Sequence, residues 1–271
     1  FNGGSLDNGG NLLTVTAANG SVNIYNAISG AGGIQKDGAG TLDLRGANTF
    51  GGGVTLNAGT LYVNNATALG ATAGTFVING GLINQNTNGA GITNINNNPI
   101  TINASFTYGA ENNWNLNLGA GAVSLGTTAG TTRTITTNNA GTLTLGGAIS
   151  DGTTANAVTK AGSGTLALFG NSSYSGPTTI STGTVQINGA NSLGDFTQVT
   201  NTISMAANTT LRSTGNTYDL GANRTINMTG AVTIQSDAGT MTVSGAVSKG
   251  GNLLTVTGAG NTTFSGGIST A

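Results

Sequence analysis

The sequence predicts an all-β fold wound as a right-handed parallel β-helix, a β-solenoid with short strands and Gly/Asn corners. Three observations predict it. Apolar residues come in short β-branched runs, glycine and asparagine punctuate those runs, and long stretches recur at constant spacing. The runs are Leu12–Thr16 (LLTVT), Val22–Tyr25 (VNIY), Thr75–Ile78 (TFVI), Ile100–Ile102 (ITI), Thr142–Leu145 (TLTL) and Val232–Ile234 (VTI). Alternation of apolar and polar positions makes each a strand with one buried side. No stretch carries a 3.6-residue period and strong helix formers are scarce, so almost no helix is expected. Disorder is the competing reading for a chain with 48 glycines, but an apolar fraction of 37% gathered into alternating runs argues against it.

The repeats set the architecture. The stretch from Ala31 to Val63 returns from Asn156 onward: Lys36 pairs with Lys160, Gly40 with Gly164, Asn48 with Ser172, Phe50 with Tyr174, Gly59 with Gly183, and Leu69-Gly70 with Leu193-Gly194, always 124 positions apart. The octapeptide GGNLLTVT stands at Gly9–Thr16 and again at Gly250–Thr257, an offset of 241. Residues 1–271 therefore read as one continuous segment of two long units plus the start of a third, with repeat motifs near 32–63 and 158–187, and as a fragment of a longer chain. Such a unit exceeds the roughly 20 to 45 residues of one solenoid turn, so it holds several turns of about 20 to 25 residues. About a dozen turns at ~4.8 Å give a rod of roughly 55 to 60 Å.

Right-handedness follows from the hand of parallel crossovers. The near absence of proline, 2 in 271 residues, follows from strands that hydrogen-bond on both sides. A β-sandwich or barrel is the other architecture these short strands allow. A net charge of −1 gives no electrostatic case for nucleic acid or an anionic membrane. There is no cysteine to staple the fold, no signal peptide and no apolar span of about 18 residues.

Gly32–Val63 resembles the autotransporter-associated β-strand repeat, or passenger-associated transport repeat, whose pattern runs approximately Gly-Leu-x-Lys-x-Gly-x-Gly-Thr-Leu-x-Leu-x-Gly-x-Asn-x-Tyr-x-Gly-x-Thr-x-Ile-x-x-Gly-x-Leu. Val158–Ile187 is similar to it as well, keeping Lys160, Gly162, Gly164, Thr165, Leu166, Leu168, Gly170, Tyr174, Gly176, Thr178 and Gly183. The departures are Ser172 for the asparagine, Phe50 for the tyrosine and Val54 for the threonine. The resemblance covers about a quarter of the chain. It implies an elongated β-helix exported across a bacterial outer membrane, linked to that membrane only through an anchor or barrel outside this sequence, and it brings no catalytic residues with it.

Candidate chemistry is sparse. Catalysis needs convergent titratable groups, and with no His or Cys the acids are a single Glu111 and seven scattered aspartates, Asp7, Asp37, Asp43, Asp151, Asp195, Asp219 and Asp237. A glycan-cleaving enzyme needs a carboxyl pair, which could assemble only across turns. Lys36 and Lys160 read as solvated lysines that open a turn and discourage wrong pairing, or else as a ladder of ligand-binding cations. Ser5–Asn11 (SLDNGGN) loosely matches a calcium-binding β-helix repeat but lacks its tandem array. Trp114 shares parity with Leu116 and Leu118 and is placed on one face of a strand, with an exposed sugar platform as the other reading.

These readings converge on an extracellular or cell-surface structural stalk or fibre that is not an enzyme. No catalytic, cofactor or metal residues are assigned. Partners are a further copy stacked end to end, or a glycan or surface ligand, in which case the chain is an adhesin; a polysaccharide-cleaving enzyme is the remaining reading.

Overall fold

The computed structural model describes residues 4–87, 91–128, 130–152 and 155–270. It is an all-β parallel solenoid of about 11 turns. Two short 3-10 turns, Glu111–Asn113 and Ala190–Leu193, are the helical elements among the described residues. Each of the six runs coincides with a strand, with Leu12, Tyr25 and Thr75 falling one residue outside, as in Leu13–Thr16, Ser21–Ile24 and Phe76–Ile78.

The chain winds through three faces in constant order. Face II holds the 12-stranded sheet from Ser21–Ile24 to Ile268–Ser269. Face I precedes it in each turn and holds the seven-stranded sheet from Leu13–Thr16 to Ile149–Ser150, its place in the winding being taken later by the three-stranded sheet that begins at Tyr218–Asp219. Face III follows face II, with the pair Leu6–Asp7 and Ile28–Ser29 first and the eight-stranded sheet from Ile92–Thr93 to Leu254–Thr257 after it.

Because neighbouring strands are parallel and in register, like residues stack in columns. On face III one column runs Leu116, Leu143, Leu166, Val185, Leu211, Ile234, Val256. All but the last of these are buried. The period of two that sets inward and outward positions along a strand thus becomes a continuous apolar core along the rod axis. Amides form ladders outside it: Asn57 donates to Asp37 (2.7 Å), Asn79 to Asn57 (2.7 Å) and Asn103 to Asn79 (2.9 Å), each side chain one turn beyond the last.

The duplication does not return to the same face. Strands Ile34–Asp37 and Thr41–Leu44 of the first repeat lie on faces I and II, whereas their equivalents Ala157–Ala161 and Thr165–Leu168 lie on faces II and III. Counting along the sheets, the 124-residue offset spans five turns and one face. The GGNLLTVT copies obey the same rule, with Leu13–Thr16 on face I and Leu254–Thr257 two faces further on. The unit is therefore a screw element of five and one-third turns.

Leu166→Ala, in mid-column, is expected to destabilise the rod by about 2–5 kcal/mol, while Gln186→Ala on the outer side of the adjacent strand changes stability by no more than about 0.5 kcal/mol. Denaturant unfolding of the two variants checks this.

Candidate functional site

Four of the chain's seven lysine and arginine side chains are buried: Lys36, Lys160, Arg133 and Arg224. The hydrogen bonds of all four run to neutral oxygens and none to a carboxylate. Lys36 and Lys160 occupy inward core positions, fixed by the alternation of Ile34-x-Lys36 and Val158-x-Lys160. Lys36 stands in a column between Val15 and Leu56, and Lys160 between Ile135 and Ile180. The aliphatic stem lies in the core and the ammonium reaches the corner beyond. There Lys36 Nζ donates to the carbonyls of Asp37 (2.7 Å), Gly38 (2.7 Å) and Ala58 (3.1 Å). Lys160 Nζ repeats this on Ala161 (2.8 Å), Gly162 (2.6 Å) and Thr182 (3.1 Å). Three donors meet three acceptors, so neither cation is left unpaired.

This corrects the reading of both residues as solvated lysines, and equally the reading as a ladder of ligand-binding cations: both side chains are 0% exposed, and the screw sets them on different faces. The cage also explains the glycine 23 positions later. Gly59 and Gly183 have φ near 74° and lie over the ammonium; a Cβ on Gly59 would fall on the carbonyls of Gly38 and Gly40 and 2.7 Å from Lys36 Nζ. At Gly183 it would lie 2.8 Å from Lys160 Nζ. Burial pushes the Lys160 ammonium down to about 8. Lys36 is lowered by the same burial, opposed by the neighbouring Asp37 carboxylate.

Arg224 takes the same role at another corner, donating to Asn201 Oδ1 (2.8 Å) and to the carbonyls of Ala190 (2.6 Å), Leu193 (3.2 Å), Gly194 (2.9 Å) and Leu220 (3.3 Å). Burial lowers it to about 10. Arg133 Nε bridges the carbonyls of Ile102 and Leu125, both at 2.9 Å. No spacing in the sequence announces these two residues, because each belongs to one turn.

The departures from the repeat pattern are coupled. Tyr174 Oη and Thr178 Oγ1 share a fully buried hydrogen bond of 2.7 Å; in the first repeat Phe50 and Val54 fill the same two places, so both hydroxyls are missing together. Asn48 accepts from Ile28 N (2.9 Å) and donates to Ala68 O (2.8 Å), linking the turns on either side. Ser172 is shorter; its Oγ accepts from Ile149 N (3.1 Å), and its own N–H donates to Asn191 O (2.9 Å).

One polar cluster belongs to the first repeat alone. On the outer side of face II, Arg45 Nε donates to Asp43 (2.7 Å) and its Nη2 to Asn86 Oδ1 (2.8 Å), while Asn64 donates to both Asp43 (2.7 Å) and Asn86 (2.8 Å). The guanidinium lies 5.4 Å above the ring of Tyr25, which is half exposed. The second repeat has Ala167 and Phe169 where Asp43 and Arg45 stand.

The other acids are dispersed. Asp7 accepts from Gly9 N (2.8 Å), Asp151 from Ser175, Asp195 from Thr197 and Gln198, Asp219 from Gly221 N and Ser244, Asp237 from Arg212 and Gln235, and Glu111 from Tyr62 Oη (2.5 Å). In the SLDNGGN stretch the Asp7 and Asn8 oxygens bind backbone amides. Among the described residues no three His, Cys, Asp or Glu side chains gather as a metal site. Trp114 is half-buried and lies just before the strand Leu116–Asn117, with its carbonyl accepting from Tyr108 Oη (2.7 Å); Leu116 and Leu118 are buried, so the shared parity does not carry the indole inside.

Fold and cages together define a repeat-built β-solenoid with buried cations at four of its corners. Two of its stretches match a known repeat: the family model Passenger-associated-transport-repeat matches residues 34–63 and 158–187. The chain is also 41% identical over 73 residues to an "Adhesin BmaC autotransporter" of Brucella suis biovar 1 (strain 1330). That match covers 27% of this chain and 2% of the relative's length. No solved structure matches it.

Two outcomes follow from the cages and the coupled pair. Tyr174→Phe and Thr178→Val each leave one buried hydroxyl without its partner and cost about 1–3 kcal/mol, whereas the double variant, which reproduces the Phe50/Val54 pairing, is less destabilised than the two singles summed; a denaturant double-mutant cycle reads the coupling. The second concerns pH. The unfolded chain holds the Lys160 proton to its ordinary 10.5 and the folded chain only to about 8, so between these values the unfolded state binds more protons and stability rises with pH. From pH 7 to 9.5 the rise is about 1–2 kcal/mol larger in the native chain than in Lys160→Met, the tyrosines being common to both.

Proposed function

We propose that this chain is a segment of an exported surface passenger that serves as a structural stalk, spacing other parts of its parent molecule away from the cell. The observation that supports this most is the pair of passenger-associated transport repeats set in an unbroken stack whose polar side chains are spent on holding turn to turn. The similarity to a segment of an adhesin autotransporter agrees with a cell-surface location. A stalk needs stiffness and length, and a parallel stack with filled columns supplies both at about 4.8 Å per turn. End-to-end association into filaments is a further form of the same role.

A second reading, an adhesin segment that binds glycans directly, is favoured by the cluster of Tyr25, Asp43, Arg45, Asn64 and Asn86. An exposed aromatic face beside prearranged amide, carboxylate and guanidinium groups suits hydroxyl-rich ligands, and only one repeat has it.

Negative-stain electron microscopy of the purified chain, followed by a glycan array, separates the readings. Rods of roughly 55 Å with no array signal are the expected result for the stalk. Saturable binding to one glycan class, lost in Arg45→Ala, would replace it with the adhesin reading, and regular filaments would establish end-to-end association.

A further inference from the structure

We propose that each buried lysine selects the turn that docks after it, and that the lysine and the glycine 23 positions later form a matched pair for this purpose. The two kinds of bond in the cage point to it. Lys160 takes two of its three acceptors, Ala161 O and Gly162 O, from its own corner, and the third, Thr182 O, from the following turn. Lys36 divides in the same way, with Asp37 O and Gly38 O before and Ala58 O after. Until the following turn is in place, the lysine stands at the edge of the stack with one donor unfilled, where water fills it. A charge on an open strand edge discourages wrong pairing. Once the correct turn docks, the same charge is withdrawn into the core.

The pairing is demanding. A turn whose corner follows another path carries its backbone carbonyl out of reach and leaves the ammonium buried with a donor unsatisfied, which costs far more than a missing methyl group. A side chain in place of Gly59 or Gly183 also collides with the two corner carbonyls beneath and with Nζ. The two strands that pair with the lysine strands on this side, Val54–Leu56 and Thr178–Ile180, both lead into the required sequence, Asn57-Ala58-Gly59 and Ser181-Thr182-Gly183. Apolar columns by themselves carry little register information, because nearly every turn offers Val, Leu or Ile in the same places. The lysine supplies that information at one rung in each repeat, and the partner it fits is the chain's own next turn and not a second copy or a distant one. Exposure at the edge and burial in the finished stack are thus two states of one residue.

The test is refolding of the full chain. Lys36→Met/Lys160→Met keeps an unbranched apolar stem as far as Cε and removes the ammonium, and Ile180→Val serves as a control with its core trimmed beside the same cage. All are unfolded in denaturant and diluted over a range of protein concentrations, with the aggregated fraction read by light scattering and gel filtration, and native rods by circular dichroism. The expected result is a double-Met variant that unfolds at a lower denaturant concentration, because its corner carbonyls lose their donor, yet, with each chain diluted equally far below its own unfolding midpoint, leaves a several-fold larger aggregated fraction than either the native chain or the control. An aggregated fraction equal to that of the native chain would overturn the proposal and reduce the lysines to space-filling. Each single-Met variant is read in the same way. If none of the three regains the native spectrum, the lysines are a condition of folding and not of selection, and the proposal falls as well.

Discussion

The parallel backbone ladder governs this molecule, because each turn must bond to the turns on both sides at one fixed spacing. Along the strands the requirement is met by geometry alone. At the corners the chain changes direction, and at several of them carbonyl oxygens converge on the interior, where the regular strand ladder does not reach all of them. A buried polar group left so costs on the order of 1–3 kcal/mol. The cations answer this need: Lys36 and Lys160 at one kind of corner, Arg133 and Arg224 at others, each surrounded by backbone oxygen. A chain with so few charges places most of its positive ones where water cannot reach them.

Seen from the corners, the spacing of the repeat becomes a set of contacts. The lysine is caged by the glycine one turn on. The aromatic at Phe50 or Tyr174 lies against the glycine of Leu69-Gly70 or Leu193-Gly194, where a Cβ would strike the aromatic residue's carbonyl and crowd its ring. The asparagine or serine at position 48 or 172 ties adjacent turns through its side chain. Residues far apart in the motif are neighbours along the rod axis, which is why the motif is long and holds its glycines, its lysine and its aromatic at fixed distances from the apolar strand positions between them.

The strands and the core were legible in the sequence, since alternation within runs such as TLTL and VTI is the same signal that stacking uses. The lysines are inward although their charge suggests solvent, and the signal for it lies in the sequence: Ile34-x-Lys36 has the parity of a strand with both residues inward, and period outweighs charge there. Phe50 and Val54 were each visible as departures from the pattern, while their dependence on one another required the hydrogen bond between Tyr174 and Thr178. Arg133, Arg224 and the cluster around Asp43 were out of reach, because each is assembled from turns whose alignment depends on corner lengths that vary along the chain.

The one-third turn carried by each unit sets how the rod meets its surroundings. A feature on the outer side of one unit points about 120° away from the same feature on the next, so successive copies climb the rod as a spiral staircase. In a chain that continues this unit, a flat surface touching one side meets an equivalent patch once in three units, or sixteen turns, which is roughly 75–80 Å. Contacts with a planar target would therefore be sparse and evenly spaced, while a meshwork surrounding the rod would find a patch facing it from every direction.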